Sequence, residues 1–255
     1  MANIQDSRDD REIPLDRVGV TGLSYPVTVP DRTNGTQATV ATVALLVELR
    51  EESRGVHMSR LLEVFHEERD SMTAEHIEAL LAKLKQAAGA PSAHIDLEYT
   101  YFIERRASES GATSLLGVPV LIEASLGDSF DLVLTAETPV MSVCPCSMDA
   151  TGGPAHSQRG HVAVSVRYDG HVWVDELVEI VEDSASGPVL PLMKGEDERR
   201  VIEQAYEQPV FVEDLVRNVA ERLDSDVRVH WYRIEAENLE SVHAHNAYAC
   251  VERSR

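Results

Sequence analysis

Apolar positions along the chain alternate between a period of two and a period near 3.6, and the alternation repeats in the same order in each half. Residues 22–29 and 38–49 are rich in Val, Thr and Leu. They flank a Pro30-Asp31-Arg32-Thr33-Asn34-Gly35 turn, a pattern that predicts a β-hairpin. Met58, Leu61, Leu62 and Phe65 then fall at helical spacing. Thr73 offers an N-cap for a second helix with the stripe Ile77, Leu80, Leu81 and Leu84, ended by Gly89 and Pro91. Strand character returns over 94–105 and 118–126.

The second half follows suit. Residues 132–140 and 161–168 read as strands, and 172–183 as a helix carrying Val174, Leu177, Val178 and Val181. A further helix begins near Pro209, with Phe211, Leu215, Val216, Val219 and Leu223 on one face. Proline suits a first helical turn because its missing N–H would be unpaired there. Residues 226–234 and 246–251 close as strands. Each half is therefore strand-strand-helix-helix-strand-strand, which predicts an α+β protein with antiparallel sheets and helices layered on one face. The chain divides into an acidic, flexible N-terminal segment (1–17), an N-terminal module (18–128) and a C-terminal module (129–255). Residues 104–113 and 184–198 lack a period and are expected as surface loops, the second long enough to carry site residues.

Composition narrows the function. Against 23 Lys and Arg stand 44 Asp and Glu, a formal charge of −21 over 255 residues. That balance disfavours binding to nucleic acid or an anionic membrane, both of which need a basic surface. Aromatic residues are only 5%, too few for a platform that stacks single strands. The opening residues 1–16 hold no apolar signal-peptide core, and the apolar stretch 38–49 is too short to span a bilayer. A cytoplasmic protein is expected. Three cysteines, an odd number, do not make a disulfide framework.

Ligand-type residues are densest at Cys144-Pro145-Cys146 followed by His156. Thiolate and imidazole together suit a borderline or soft divalent metal, although a buried thiol beside a surface histidine has the same sequence. Glu240-Ser241-Val242-His243-Ala244-His245 offers a carboxylate and two imidazoles that, on a strand, would share one face. Glu213 and Asp214 fall in a first helical turn, where the helix dipole stabilises carboxylates and where one could also accept from a guanine edge. Glu196, Asp197 and Glu198 form an acidic run that is either a solvated loop or a source of a metal ligand. Arg54, His57, Ser59 and Arg60 surround a predicted helix start suited to phosphate, or are simply its flanking charges.

Taken together, Gly55 to Arg60, Cys144-Pro145-Cys146-Ser147, Ala155 to Gly160, Tyr206 to Asp214 and Glu240 to Ala249 resemble, in order, the motifs of GTP cyclohydrolase IB. The resemblance implies a tunnelling fold with two such modules per chain, and a homotetramer with active sites at subunit interfaces. It implies Cys144, His156 and Glu198 as metal ligands, with Mn2+ or Zn2+, or Fe2+ as in archaeal relatives. Cys146, Glu240, His243 and His245 then act as acid, base or positioning groups, and Glu213 anchors the guanine of GTP. Candidates for the triphosphate are Arg54, His57, Ser59, Arg60, Arg159 and Lys194. Two departures stand out: Met148 where the family often has lysine, and Ala244 between two histidines where it has asparagine. The implied reaction opens the purine imidazole ring, releases formate and forms 7,8-dihydroneopterin triphosphate. Rivals are the archaeal cyclic-phosphate variant, a non-catalytic purine or pterin binder, and a thiol redox protein.

Overall fold

The structure is a computed structural model that describes Gln5 and Ser7–Arg255. It comprises two compact units, 1–100 with 120–134 and 101–119 with 135–255.

The first unit is built on the long hairpin β1 (Leu15–Asp31) and β2 (Gly35–Leu49). Its turn is held by Asp31, which accepts from the Thr33 and Asn34 N–H groups at 2.9 and 2.6 Å and from Gln37 Nε2 at 2.9 Å. Gly35 supplies the φ of +80° that the turn needs. Strand β1 starts well before residue 22, because two register shifts, at Leu15/Val18 and Val20/Leu23, interrupt the alternation that would have revealed it. Helices α1 (Met58–Glu68) and α2 (Ala74–Ala88) follow. As expected, Thr73 caps α2 by accepting from the His76 N–H, and Gly89 ends it at φ 64°. Ile77, Leu80, Leu81 and Leu84 are fully buried, as are Val43, Leu45 and Val47 of β2. Each such side chain contributes about 1.5–3 kcal/mol. Strands β3 (Ala93–Arg106), β4 (Thr113–Leu126) and β5 (Phe130–Val143) each give residues to both units. The compact units therefore do not coincide with a division at 128/129.

The expected flexible segment 1–17 falls partly on residues 1–4 and 6, which lie outside the described residues. The rest of it is structured: Arg8 bridges to Ser53, the Asp9 N–H donates to Glu52, and β1 already includes residues 15–17.

The second unit adds α3 (Pro145–Thr151), β6 (Ser157–Tyr168), α4 (Val174–Glu182), the short β7 (Gly187–Pro188), α5 (Gly195–Glu207), α6 (Val212–Ser225), β8 (Val229–Asn238) and β9 (Ala247–Ser254). Strands β5, β6, β8 and β9 lie side by side in that order, and β7 pairs with β5. β6 runs antiparallel to β8, and β8 to β9. The α4 residues Val174, Leu177, Val178 and Val181 are all buried. So are Leu215, Val216, Val219 and Leu223 of α6.

Two expectations change here. The loop predicted over 184–198 ends in helix α5, whose polar sequence buries only Asp197, Val201 and Ala205 and so shows little apolar stripe. Its start is fixed by tertiary contact. Asp197 accepts from the Lys194 N–H at 2.9 Å, and it reaches across to the Glu109 and Ser110 N–H groups and the Ser110 hydroxyl. Second, α6 begins at Val212 with Phe211 as its N-cap, so Pro209 lies ahead of the helix rather than in its first turn. Phe211 is 38% exposed and does not join the buried face.

Candidate active site

Strand β5 ends at Val143, and the next residue, Cys144, is the N-cap of α3, with Pro145 and Cys146 in the first turn. Gly152 closes α3 in the left-handed region at φ 72°, and the chain returns to His156 just before β6. The Cys144 N–H donates to the His156 carbonyl at 3.2 Å, which sets the end of β5 beside the start of β6. Ser147 Oγ accepts from the His156 N–H at 3.4 Å. From α5, the Tyr206 hydroxyl donates to the Ala155 carbonyl at 2.6 Å and so fixes the residue preceding His156.

The third contribution comes from the loop after β8. The Leu239 N–H donates to the Arg159 carbonyl at 2.8 Å, which delivers Glu240 to His156. Glu240 Oε2 lies 3.8 Å from His156 Nδ1, with both side chains mostly buried. His156, Glu240 and His243 each offer a ligand atom within 4.8 Å of the other two. The His156 and His243 rings meet edge to face at 6.2 Å, and His243 stacks on His245 at 5.1 Å. His243 and His245 sit in a loop between β8 and β9, not on a strand, and share a side through ring stacking rather than strand alternation.

Glu240 Oε2 is buried and has no hydrogen-bond partner among the described residues. A buried carboxylate oxygen without a partner is costly unless a cation or proton compensates it. Two imidazoles and a carboxylate are also a suitable donor set for a borderline divalent ion, so the residues present fit such a group.

The scaffold beneath this cluster is tightly specified. Asn238 Nδ2 donates to Ser142 Oγ at 3.3 Å, and Ser142 Oγ donates to the Val210 carbonyl at 3.0 Å. This ladder ties the ends of β8 and β5 to the residues leading into α6. Gly160, paired with Asn238, is required by close approach: a Cβ there would lie 2.4 Å from Asn238 Oδ1.

The other sequence-derived candidates are placed as follows. Cys144 is half-buried and Cys146 exposed, and all three cysteines are free. Cys144 is adjacent to the cluster through its backbone, but its sulfur is not in the converging set. Glu198 is exposed on the first turn of α5, and with Gln158 and Arg159 it lines a cavity of about 300 Å³. Lys194 is the N-cap of α5. Glu213 is exposed in the first turn of α6. His57, Ser59 and Arg60 belong to the first unit, where His57 is the N-cap of α1 and, with Arg60, lines a cavity of about 480 Å³. Gln158 and Ser241, for which the sequence suggests no role, both contact His156 Nδ1, at 2.8 and 3.5 Å. For Gln158 a signal existed: two residues from His156, it falls on the same side of an extended segment.

An antiparallel sheet backed by helices, closing on a cluster of imidazole and carboxylate groups, defines the class as a tunnelling-fold protein. Solved structures agree on the fold: urate oxidase from Bacillus subtilis 168 (TM-score 0.50, 9% identity, covering 94% of this chain and 98% of that one) and uricase from Arthrobacter globiformis (TM-score 0.51, 10% identity, 94% and 93%). Sequence comparison is more specific. The family described as type I GTP cyclohydrolase folE2 matches residues 1–249. The chain is 44% identical to GTP cyclohydrolase FolE2 of Geotalea uraniireducens, over 100% of this chain and 94% of that protein. It is likewise 44% identical to that of Geobacter sulfurreducens, over 100% and 99%. The chain belongs to the type I GTP cyclohydrolase FolE2 family.

Proposed function

We propose that the protein is a metal-dependent GTP cyclohydrolase I that converts GTP and water to 7,8-dihydroneopterin triphosphate and formate, the first step of tetrahydrofolate biosynthesis. The observation that carries the metal-dependent reading is the convergence of His156, Glu240 and His243 around a buried carboxylate oxygen with no hydrogen bond among the described residues. Opening the imidazole ring of guanine requires several proton transfers, and imidazole, thiol and carboxylate groups are suited to them near neutral pH.

In this reading His156 would hold a divalent ion, either with Cys144 and Glu198, the ligands the resemblance implies, or with Glu240 and His243, whose ligand atoms converge on it. The resemblance implies Mn2+ or Zn2+, and Fe2+ also suits such donors. When bound, the ion supplies a lowered pKa for water at C8 of the base. Glu240 Oε2 takes a proton from the attacking water. His243 and its stacking partner His245 pass protons toward the ring nitrogens, and the Cys146 thiol acts as a further acid or positioning group. Glu213, at a helix N-terminus, accepts from the N–H groups of the guanine edge. His57, Ser59, Arg60, Arg159 and Lys194 supply charge and donors for the triphosphate. Tandem modules 18–128 and 129–255, the second carrying most of these residues, assemble as a homotetramer with interfacial sites. No described helix is long and apolar enough to cross a membrane. In this reading the enzyme is cytoplasmic, and its charge of −21 disfavours nucleic-acid and anionic-membrane partners.

The test is formate release and pterin fluorescence from GTP with chelator-stripped protein, restoring Mn2+, Zn2+ or Fe2+ separately. Turnover with one metal and none without it is expected. Product mass then separates the triphosphate from a cyclic phosphate. Tight GTP binding without turnover under any metal would overturn the reading in favour of a non-catalytic binder.

A further inference from the structure

Gln158 is 93% buried at the start of β6, and its amide spans two members of the cluster. Its Oε1 lies 2.8 Å from His156 Nδ1, and its Nε2 donates to Glu240 Oε1 at 3.4 Å. With the amide NH2 engaged by Glu240 Oε1, the amide oxygen faces the imidazole. An amide oxygen only accepts, which makes His156 Nδ1 the donor. The remaining groups around Nδ1 agree: Glu240 Oε2 at 3.8 Å and Ser241 Oγ at 3.5 Å can both accept. With the proton on Nδ1, the neutral ring carries its lone pair on Nε2.

We infer that Gln158 is a positioning residue that bonds Glu240 through its amide NH2 and, through its amide oxygen, holds His156 in the Nδ1–H tautomer with Nε2 open to ligate or to accept a proton. One amide thus sets the separation of the imidazole and the carboxylate and the tautomer of the ring. Partners of this kind act on ligand orientation and basicity, and their loss typically costs about 10–100-fold in metal affinity. Gly160 and Asn238 hold the register of β6 against β8 two residues further on, so the amide has little freedom to choose another pair of partners.

The inference rests on the reading of His156 and Glu240 as site residues, but its test does not depend on turnover. Long-range 15N–1H correlation spectra of the metal-free protein report the tautomer of His156 directly. Wild type is expected to show Nδ1–H. Gln158→Leu, which removes both hydrogen bonds at similar volume, should give a mixture of tautomers and weaken Zn2+ binding by roughly 10-fold or more. It should also lower kcat for GTP more than it changes KM, since in this reading Gln158 itself contacts neither the triphosphate nor the guanine. Gln158→Glu keeps an acceptor for Nδ1 but replaces the donor to Glu240 by a second carboxylate, so Nδ1 should stay protonated, which a packing role would not predict, without recovery of Zn2+ affinity. Gln158→Asn, too short to span both partners, should behave like the leucine variant and replaces it if Gln158→Leu does not fold. A wild-type Nε2–H tautomer, or unchanged tautomer and Zn2+ affinity in the leucine or asparagine variant, would overturn the inference. An Nδ1–H tautomer that responds to these variants in a protein without turnover would instead uphold the role of Gln158 and count against the catalytic reading alone.

Discussion

Asp197 and Glu240 are both shielded carboxylates of the second unit, and they are treated in opposite ways. Asp197 is fully buried and accepts four hydrogen bonds, from three backbone N–H groups and the Ser110 hydroxyl. Those bonds, led by the Ser110 hydroxyl, hold its carboxyl far below the ordinary carboxylate range. Glu240 accepts one long bond from Gln158, and its buried Oε2 makes no hydrogen bond among the described residues, with His156 Nδ1 at 3.8 Å. The first carboxylate is spent on architecture, starting α5 and pinning the 107–112 loop. The second leaves an acceptor for something outside the polypeptide. Glu240 Oε2 is one of several buried polar atoms without a hydrogen bond among the described residues, and what sets it apart is the pair of imidazoles beside it.

Four substitutions break or sharpen this contrast. Cys144→Ala has the largest expected effect: formate release from GTP is abolished, and near-normal turnover would remove Cys144 from the ligand set. Glu240→Gln should lower formate release by about 10²–10⁴-fold, the usual contribution of a positioned acid or base. Its thermal midpoint should stay level or rise, because an uncompensated buried charge is lost. A clear fall in midpoint would place Glu240 with Asp197 as a structural group. Gly160→Ala tests the scaffold under the site. The new Cβ must displace Asn238, and destabilisation of about 1–3 kcal/mol is expected in urea titrations.

Asp197→Asn addresses the structural carboxylate by its pH dependence, with the smallest effect. The folded pKa is depressed, so the stability Asp197 contributes is complete above the unfolded value of about 3.9 and is lost as pH falls through the folded value. The variant should therefore unfold below the wild-type midpoint at pH 7, and the gap should narrow as the pH is lowered past about 4. A gap independent of pH would show that the carboxylate charge is not what stabilises α5.

Periodic segments were legible in proportion to how much apolar surface they bury. Helices α2 and α4 were readable because their stripes are complete, and α2 also carries its own Thr73 and Gly89 caps. Helix α5 was not, since only Val201 and Ala205 mark its apolar face and its cap works through Ser110, distant in sequence. The first stretch of β1 was hidden by its register shifts. At the site, local motifs supplied every residue type in the cluster but could not say which side chains meet. Cys144 and Glu198 stood beside His156 in the sequence argument, whereas Glu240 and His243 are the groups whose ligand atoms converge on it.

The α+β class, the family and the chemical vocabulary of the site follow from local periodicity and from motifs contiguous in the chain, whereas the expected two helices of the second half are in fact α4, α5 and α6, with α3 inserted before β6. Only the tertiary structure decided that residues 195–207 are helical, that Gln158 joins His156 to Glu240, and that one carboxylate is satisfied while the other is not. Each of those depends on partners tens of residues apart, brought together by the pairing of β6 with β8 and by the packing around α5. Hydrogen-bond satisfaction is a property of a three-dimensional neighbourhood, and no local pattern of residues encodes it.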